Sequence, residues 1–189
     1  MMSEKEKMIA GKLYNPLDEE LVSDRTIARL LLKQLNESRE DEPNERMQII
    51  QKLLPNAKKG LWLQPPFYCD YGYNIQIGEN VFFNFNCVVL DVAPVIIGAR
   101  TLIGPNVQIY TAMHPMNYEE RAKGVEYAKP ITIGNDVWLG GSVVICPGVN
   151  IGDRTVIGAG SVVTKNIPSD VFAAGNPCKI IRPATGERM

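Results

Sequence analysis

From residue 75 onward, paired small apolar residues recur every six positions. The pairs are Ile75/Ile77, Val81/Phe83, Cys87/Val89, Val95/Ile97, Thr101/Ile103, Val107/Ile109, Ile131/Ile133, Val137/Leu139, Val143/Ile145, Val149/Ile151, Thr155/Ile157 and Ser161/Val163. Within each triplet the alternation is that of a strand, with the two paired residues on one side and the middle residue on the other. After nearly every triplet comes a Gly, an Asn or another turn former, including Gly78, Asn84, Gly98, Gly104, Gly134, Gly140, Gly152 and Gly158. A corner glycine is expected to supply positive φ without a Cβ penalty. A short strand and a sharp corner every six residues describe a solenoid of parallel strands, each coil burying its core against the next. A sandwich of hairpins would space its turn signals at roughly 8–12 residues instead.

The period is interrupted twice. Two residues are inserted around Ala93-Pro94, and eighteen between Ile109 and Ile131. The longer insertion must leave the coil as a surface loop, the kind of segment that often carries function. With three strands per coil, the middle residues sort onto three faces. The first carries Gln76, Ile96, Thr132 and Asn150; the second Phe82, Leu102, Trp138 and Val156; the third Val88, Gln108, Val144 and Val162. The second face is an apolar ladder that a soluble monomer seldom exposes, so self-association is expected, with N-terminal helices covering the remainder.

Residues 3 to about 58 follow a helical period. Ser23 can cap a segment with Ile27, Leu30, Leu31 and Leu35 on one face, and Pro43 begins a second with Met47, Ile50, Leu53 and Leu54. The chain thus divides into a helical segment, 1–58, and a coil, 59–189, with an extruded loop at 111–129 and a C-terminal tail. At 189 residues, 45% hydrophobic and 22% charged, it reads as a soluble globular protein. A net charge of −1 gives no general attraction to nucleic acid or anionic membrane. The charged start SEKEKMIAG is unlike a secretory signal and no apolar run spans a bilayer, so a cytoplasmic protein is expected. Cys69, Cys87, Cys146 and Cys178 form no C-x-x-C pair and read as reduced packing side chains.

The repeats ITIGNDVWLGGSVVICPGVNIGDRTVIGAGSVVTKNIP, the tail AAGNPCKIIR, the stretch YGYNIQIGENVFFNFNCVVLD, the early AGKLYNP and the loop motif TAMHP together resemble the maltose and galactoside O-acetyltransferase family. The likeness covers nearly the whole chain. It implies a mainly β fold, a left-handed parallel β-helix with a short helical N-terminus and one extruded loop. It also implies a homotrimer with active sites between subunits, acetyl-CoA as co-substrate, and a sugar acceptor of the maltose, glucose or galactoside type. The left hand comes with the resemblance, because the usual crossover rule favours right-handed connections.

His114 is the only histidine and lies in the extruded loop. Moving an acetyl group from a thioester to a hydroxyl needs a base near neutral pH, which imidazole supplies, and the resemblance makes His114 that base. Glu126, in the same loop, is placed to orient the imidazole as the third group of a triad does. By resemblance Asn84 joins the catalytic set and, with Asp91 and Asp70, contacts the acceptor. The family's early Asp is displaced by Asn15-Pro16-Leu17, which leaves Asp18 as its equivalent. Gly140-Gly141 and Gly158-Ala159 fall at one corner of successive coils, a smooth edge for the extended arm of the coenzyme. The resemblance gives the Gly141 N–H to the oxyanion and puts Ala159, Thr164, Lys165, Lys179 and Arg182 around the coenzyme, the cations toward its phosphates.

Asn84 and the loop leave the coil at different corners, separated by a strand of about five residues, or roughly 16 Å, so a site using both is expected to draw on two chains. A single histidine excludes the three-histidine zinc centre of hexapeptide-repeat carbonic anhydrases, and no metal is expected. Two alternatives share the scaffold: a xenobiotic (chloramphenicol-type) acetyltransferase and a non-catalytic assembly subunit. The short helical N-terminus favours the sugar branch.

Overall fold

The computed structural model describes residues 2–184; Met1 and residues 185–189, the ends of the two expected segments, lie outside it. The coil is a parallel β-solenoid whose three faces are three sheets. In register, Gln76, Ile96, Thr132 and Asn150 align on the first face. Phe82, Leu102, Trp138 and Val156 align on the second, and Val88, Gln108, Val144 and Val162 on the third. Every paired residue of the six-residue period is buried. The three hydroxyls among them are satisfied by main-chain oxygens: Thr101 reaches Gly134, Thr155 reaches Pro168 and Ser161 reaches Gly158.

The coil starts earlier than the period shows. Ala57 bridges Ile77, Trp62–Leu63 pairs with Phe82–Phe83, and Phe67–Cys69 pairs with Cys87–Val89. This first coil is masked in the sequence by Pro65-Pro66 and by its join to the helices. At the far end Val171–Ala174 continues the second face and Lys179–Pro183 folds back on it antiparallel.

Corner glycines serve a different purpose from the one expected. Gly98 and Gly140 do not have positive φ; a Cβ on them would stand 2.4 Å from the Gly134 carbonyl carbon and 2.5 Å from the Ala159 nitrogen. They permit close stacking of coils. Positive φ is taken two residues later, by Asn80, Arg100, Asn106, Asp136, Ser142 and Arg154 among others. Positive-φ residues also form two ion pairs across coils, Arg100 with Asp136 at 2.7 Å and Arg154 with Asp170 at 2.6 Å.

The helices cap the open end of the coil and do not cover the second face. They are α1 (Glu4–Ile9), α2 (Glu19–Asn36) and α3 (Pro43–Leu53), with a short α4 (Tyr118–Arg121) in the loop. α1 carries a capping box of Ser3 and Glu6 that the sequence reading passed over. α2 begins at Asp18, whose carboxylate caps the Glu20 N–H at 3.1 Å; the expected cap Ser23 lies inside the helix. Its buried stripe is Leu21, Ala28, Leu32 and Leu35, whereas Ile27 and Leu30 face outward. Ala28, Leu32 and Leu35 join Ile50, Leu53 and Leu54 of the α3 segment in the same core as the coil. Asn36 extends the seal: its side chain donates to the Phe67 carbonyl and accepts from the Phe67 N–H, both at 2.9 Å, standing in for a strand at the exposed edge.

Candidate active site

The loop that carries His114 is built as a small hairpin. Ala112–Met113 pairs antiparallel with Tyr127–Ala128, Met113 opposite Tyr127, so the next residues outward on each arm, His114 and Glu126, fall side by side. The His114 Nε2 lies 4.0 Å from the Glu126 Oε1, with the imidazole about half exposed. Thr111 fixes the base of the hairpin, donating to the Leu90 carbonyl and accepting from the Ala93 N–H. Asn117 caps α4 at the tip, and Arg121 donates back to the Pro115 carbonyl.

A second segment closes on the same carboxylate. Tyr14 and Glu126 form a two-bond antiparallel bridge, 2.9 and 3.1 Å, and the Tyr14 hydroxyl donates to the Glu126 Oε2 at 2.7 Å. Burial, then this hydrogen bond, push the Tyr14 phenol far up, so it stays protonated and a donor. Tyr14 packs in a separate cluster with Met8, Leu21, Tyr71, Val92, Ala93 and Ala128. Asp70 is close by: burial and the Glu126 charge raise its pKa, while Arg25 and Arg29 oppose the rise. Arg25 donates to the Tyr71 hydroxyl at 2.7 Å. His114, Glu126 and Asp70, expected from the sequence, are therefore neighbours, and Tyr14, Tyr71 and Arg25 are members that reading missed. Only the KLY and YGYN motifs pointed at the two tyrosines.

Two expected acceptor contacts have other work. Asp91 is fully buried and takes no part in any surface that a sugar can reach. Its Oδ1 accepts from the Asp70 and Tyr71 N–H groups at 2.9 Å each and its Oδ2 from Gly72 at 2.7 Å, so it shapes the turn that carries Asp70. Asp18 spends its carboxylate on capping α2.

The third group of expected residues lies along a groove of about 490 Å³ at the corner between the second and third faces. Asn84, Gly104, Pro105, Gly140, Gly141, Gly158 and Ala159 form its edge, and the second-face ladder, ending at Phe172, forms its floor. Neither His114, Glu126 nor Asp70 lines it. Backbone hydrogen bonding varies from coil to coil at the corners. At the corner between the first and second faces, two of the four residues that follow the glycines have their N–H capped from the next coil, Ala99 by the Asn135 side-chain amide oxygen at 2.9 Å and Asn135 by the Asp153 carboxylate at 2.7 Å, whereas among the described residues Glu79 and Asp153 donate to nothing. In the groove, Pro105 has no N–H and Phe85 is capped by Asn84 at 2.8 Å, but among the described residues Gly141 and Ala159 donate to nothing. Two free donors on successive coils fit an extended ligand with oxygens to place. A wider hollow of about 730 Å³ lies over the corner between the first and second faces, between Lys58, Gln76, Ile96 and Asn135.

Arg182 stands at the end of the groove with its guanidinium 5.4 Å from the Phe172 ring, and Lys179 is exposed on the same strand. Thr164 and Lys165 are exposed at the next corner, after Val162–Val163, and do not converge with them in one chain. Among the described residues no cluster of three or more metal-binding side chains occurs, and no helix is long and apolar enough to cross a membrane.

Residues 7–58, the helical cap and its exit, match the maltose acetyltransferase hexapeptide capping motif, and residues 130–165 match six bacterial transferase hexapeptide repeats. The chain is 45% identical to the galactoside O-acetyltransferase of Escherichia coli K12 over 94% of its own length and 87% of that protein's. It belongs to the maltose and galactoside O-acetyltransferase family. Two solved family structures agree with the fold throughout. A maltose O-acetyltransferase from Clostridium difficile 630 superposes with a TM-score of 0.94 at 47% identity, covering 96% of this chain and 97% of that one. A hexapeptide-repeat acetyltransferase from Vibrio cholerae, in complex with acetyl coenzyme A, gives 0.90 at 40%, covering 98% and 100%. In this chain the segment that matches the capping motif is the helical end-seal described above, and it contains Tyr14.

Proposed function

We propose that the chain is an acetyl-CoA-dependent O-acetyltransferase acting on a sugar hydroxyl by direct transfer, with His114 as general base, in a homotrimer whose sites lie between subunits. The observation that carries this reading is the separation of two complementary half-sites. One is a base with a carboxylate beside it, on the loop; the other is an edge with two unused amide donors, in the groove. A neighbouring copy seated on the uncovered second face would bring the loop of one chain to the groove of another. The family resemblance and the acetyl coenzyme A held by the Vibrio relative support the choice of donor.

With the acceptor hydroxyl between the half-sites, the ring nitrogen of His114 turned from Glu126 takes its proton as the oxygen attacks the thioester carbonyl. Charge developing on that carbonyl oxygen meets the Gly141 N–H, a kind of donor worth roughly 10²–10³ in rate. On collapse the C–S bond breaks and the imidazolium returns the proton to the departing thiolate. Ala159 would take a coenzyme amide oxygen, Asn84 the acceptor, and Lys179 and Arg182, with Thr164 and Lys165 of a neighbouring chain, the phosphate end. The test is coenzyme A release from acetyl-CoA with maltose, glucose, galactosides, chloramphenicol and serine as acceptors. A sugar should be the preferred acceptor, and preference for chloramphenicol or serine would overturn the substrate class. His114→Ala should lower kcat by at least ~10² with little change in coenzyme affinity; wild-type turnover would end the base assignment.

A further inference from the structure

We infer that Tyr14 is a positioning residue for catalysis, its hydroxyl holding the Glu126 carboxylate in the orientation that Glu126 presents to His114. The inference rests on the reading of His114 as general base. Its grounds are geometric. Glu126 has two oxygens with two different neighbours: Oε2 accepts from the Tyr14 hydroxyl at 2.7 Å, and Oε1 faces the His114 Nε2 at 4.0 Å. A carboxylate fixed at one oxygen keeps the other aimed, whereas a free glutamate side chain three torsions from the backbone samples several staggered rotamers. Tyr14 can serve as that fixed point because it is itself immobile. It is 2% exposed, packed against Met8, Leu21 and Tyr71, and pinned to Glu126 by both main-chain bonds of the bridge. The gap of 4.0 Å between carboxylate and imidazole is longer than a hydrogen bond, so the pair is poised to close as the ring gains a proton. The titratable and charged groups bearing on Glu126 are Tyr14, His114, Asp70 and Tyr71, with Arg25 acting through Tyr71 and, beside Arg29, on Asp70.

This gives the N-terminal segment a role beyond sealing the coil: it delivers one hydroxyl to a loop 112 residues further along. The experiment is a double-mutant cycle on the full chain with acetyl-CoA and the best sugar acceptor, comparing Tyr14→Phe, Glu126→Gln and the double variant. Tyr14→Phe keeps the ring and removes one oxygen. It should lower kcat by about ten-fold, the size typical of a hydrogen bond to a charged group, with the acetyl-CoA KM unchanged. In the Glu126→Gln background the same change should have little further effect. A purely structural role would instead lower kcat by the same factor in both backgrounds, and that outcome, or wild-type kcat in Tyr14→Phe, overturns the inference. A second readout needs no turnover. His114 is the chain's only histidine, so in untagged protein its ring ¹⁵N resonances are unambiguous. They should move in the same direction in Tyr14→Phe as in Glu126→Gln, and unchanged resonances in Tyr14→Phe count against the inference even if that variant is too unstable for kinetics. Failure of the underlying base reading is separable, because only that failure leaves His114→Ala active.

Discussion

Asp91 sits at 0% exposure with three main-chain N–H groups aimed at its two oxygens. Burial pushes its carboxyl up to about 6 against the lowering effect of those donors. The folded chain therefore binds this proton more tightly than the unfolded chain does. The stabilisation is fully present below the unfolded pKa, near 4, and is lost as pH rises through about 6, a change on the order of 2–3 kcal/mol. Asp91→Asn, which cannot ionise, lacks this dependence. Its stability deficit relative to the native chain, measured by urea unfolding, should shrink between pH 4.5 and pH 7, and a constant deficit would contradict the assignment. At either pH the variant should be less stable, since its amide nitrogen would confront the Gly72 N–H. The sequence made Asp91 an acceptor contact by resemblance, whereas the structure turns its carboxylate to the main chain of the turn that carries Asp70. Sequence alone could not tell a carboxylate facing a ligand from one facing the main chain, because both stand next to the same turn.

At the scale of the element, the unit is one coil and its corner. The six-residue period was legible because strand alternation confines apolar residues to two positions per strand, and all of them are buried. The reason for the corner glycines was not legible, since a residue needed for close approach and one needed for positive φ are both written Gly. Substitution has a cost at both kinds of position, from different causes. Gly98→Ala would drive a Cβ to 2.4 Å from the carbonyl carbon of Gly134, main chain that cannot swing aside. A loss of about 1–3 kcal/mol is expected in urea unfolding. Gly124, in the loop, has φ +73° and open space around it, so Gly124→Ala should cost only about 1–2 kcal/mol, from backbone strain alone. The loop's hairpin was equally hidden in an eighteen-residue insertion, yet it is what sets His114 beside Glu126.

Across the whole molecule, the second face remains uncovered. Trp62 is 63% exposed, Leu102 50% and Trp138 48%, a continuous apolar ladder along the groove. A charge at the centre of such a contact is costly once the contact is buried, so Trp138→Glu should dissociate or unfold the proposed trimer. Sedimentation of the native chain as a monomer at micromolar concentration would remove the basis for it. Shared sites make a sharper prediction. His114→Ala and Asn84→Ala chains, each inactive alone, should regain activity when dissociated and reassembled together, because some mixed trimers then contain an intact site. Absence of recovery, with subunit exchange confirmed by mass, would put both residues to work within one chain.

The sequence by itself determined the coil, its three faces and the register of the ladders, because strand alternation and a fixed period leave one consistent way to bury the apolar residues. It also singled out His114, as a lone imidazole in an extruded loop. Only the tertiary structure decided what lies apart in the chain and adjacent in space. The Tyr14 hydroxyl on Glu126, the Asp91 brace beneath Asp70, and the Gly141 and Ala159 amides left free along the groove are all of this kind. Each depends on where side-chain oxygens end up once the coils are stacked, and local periodicity carries no record of that.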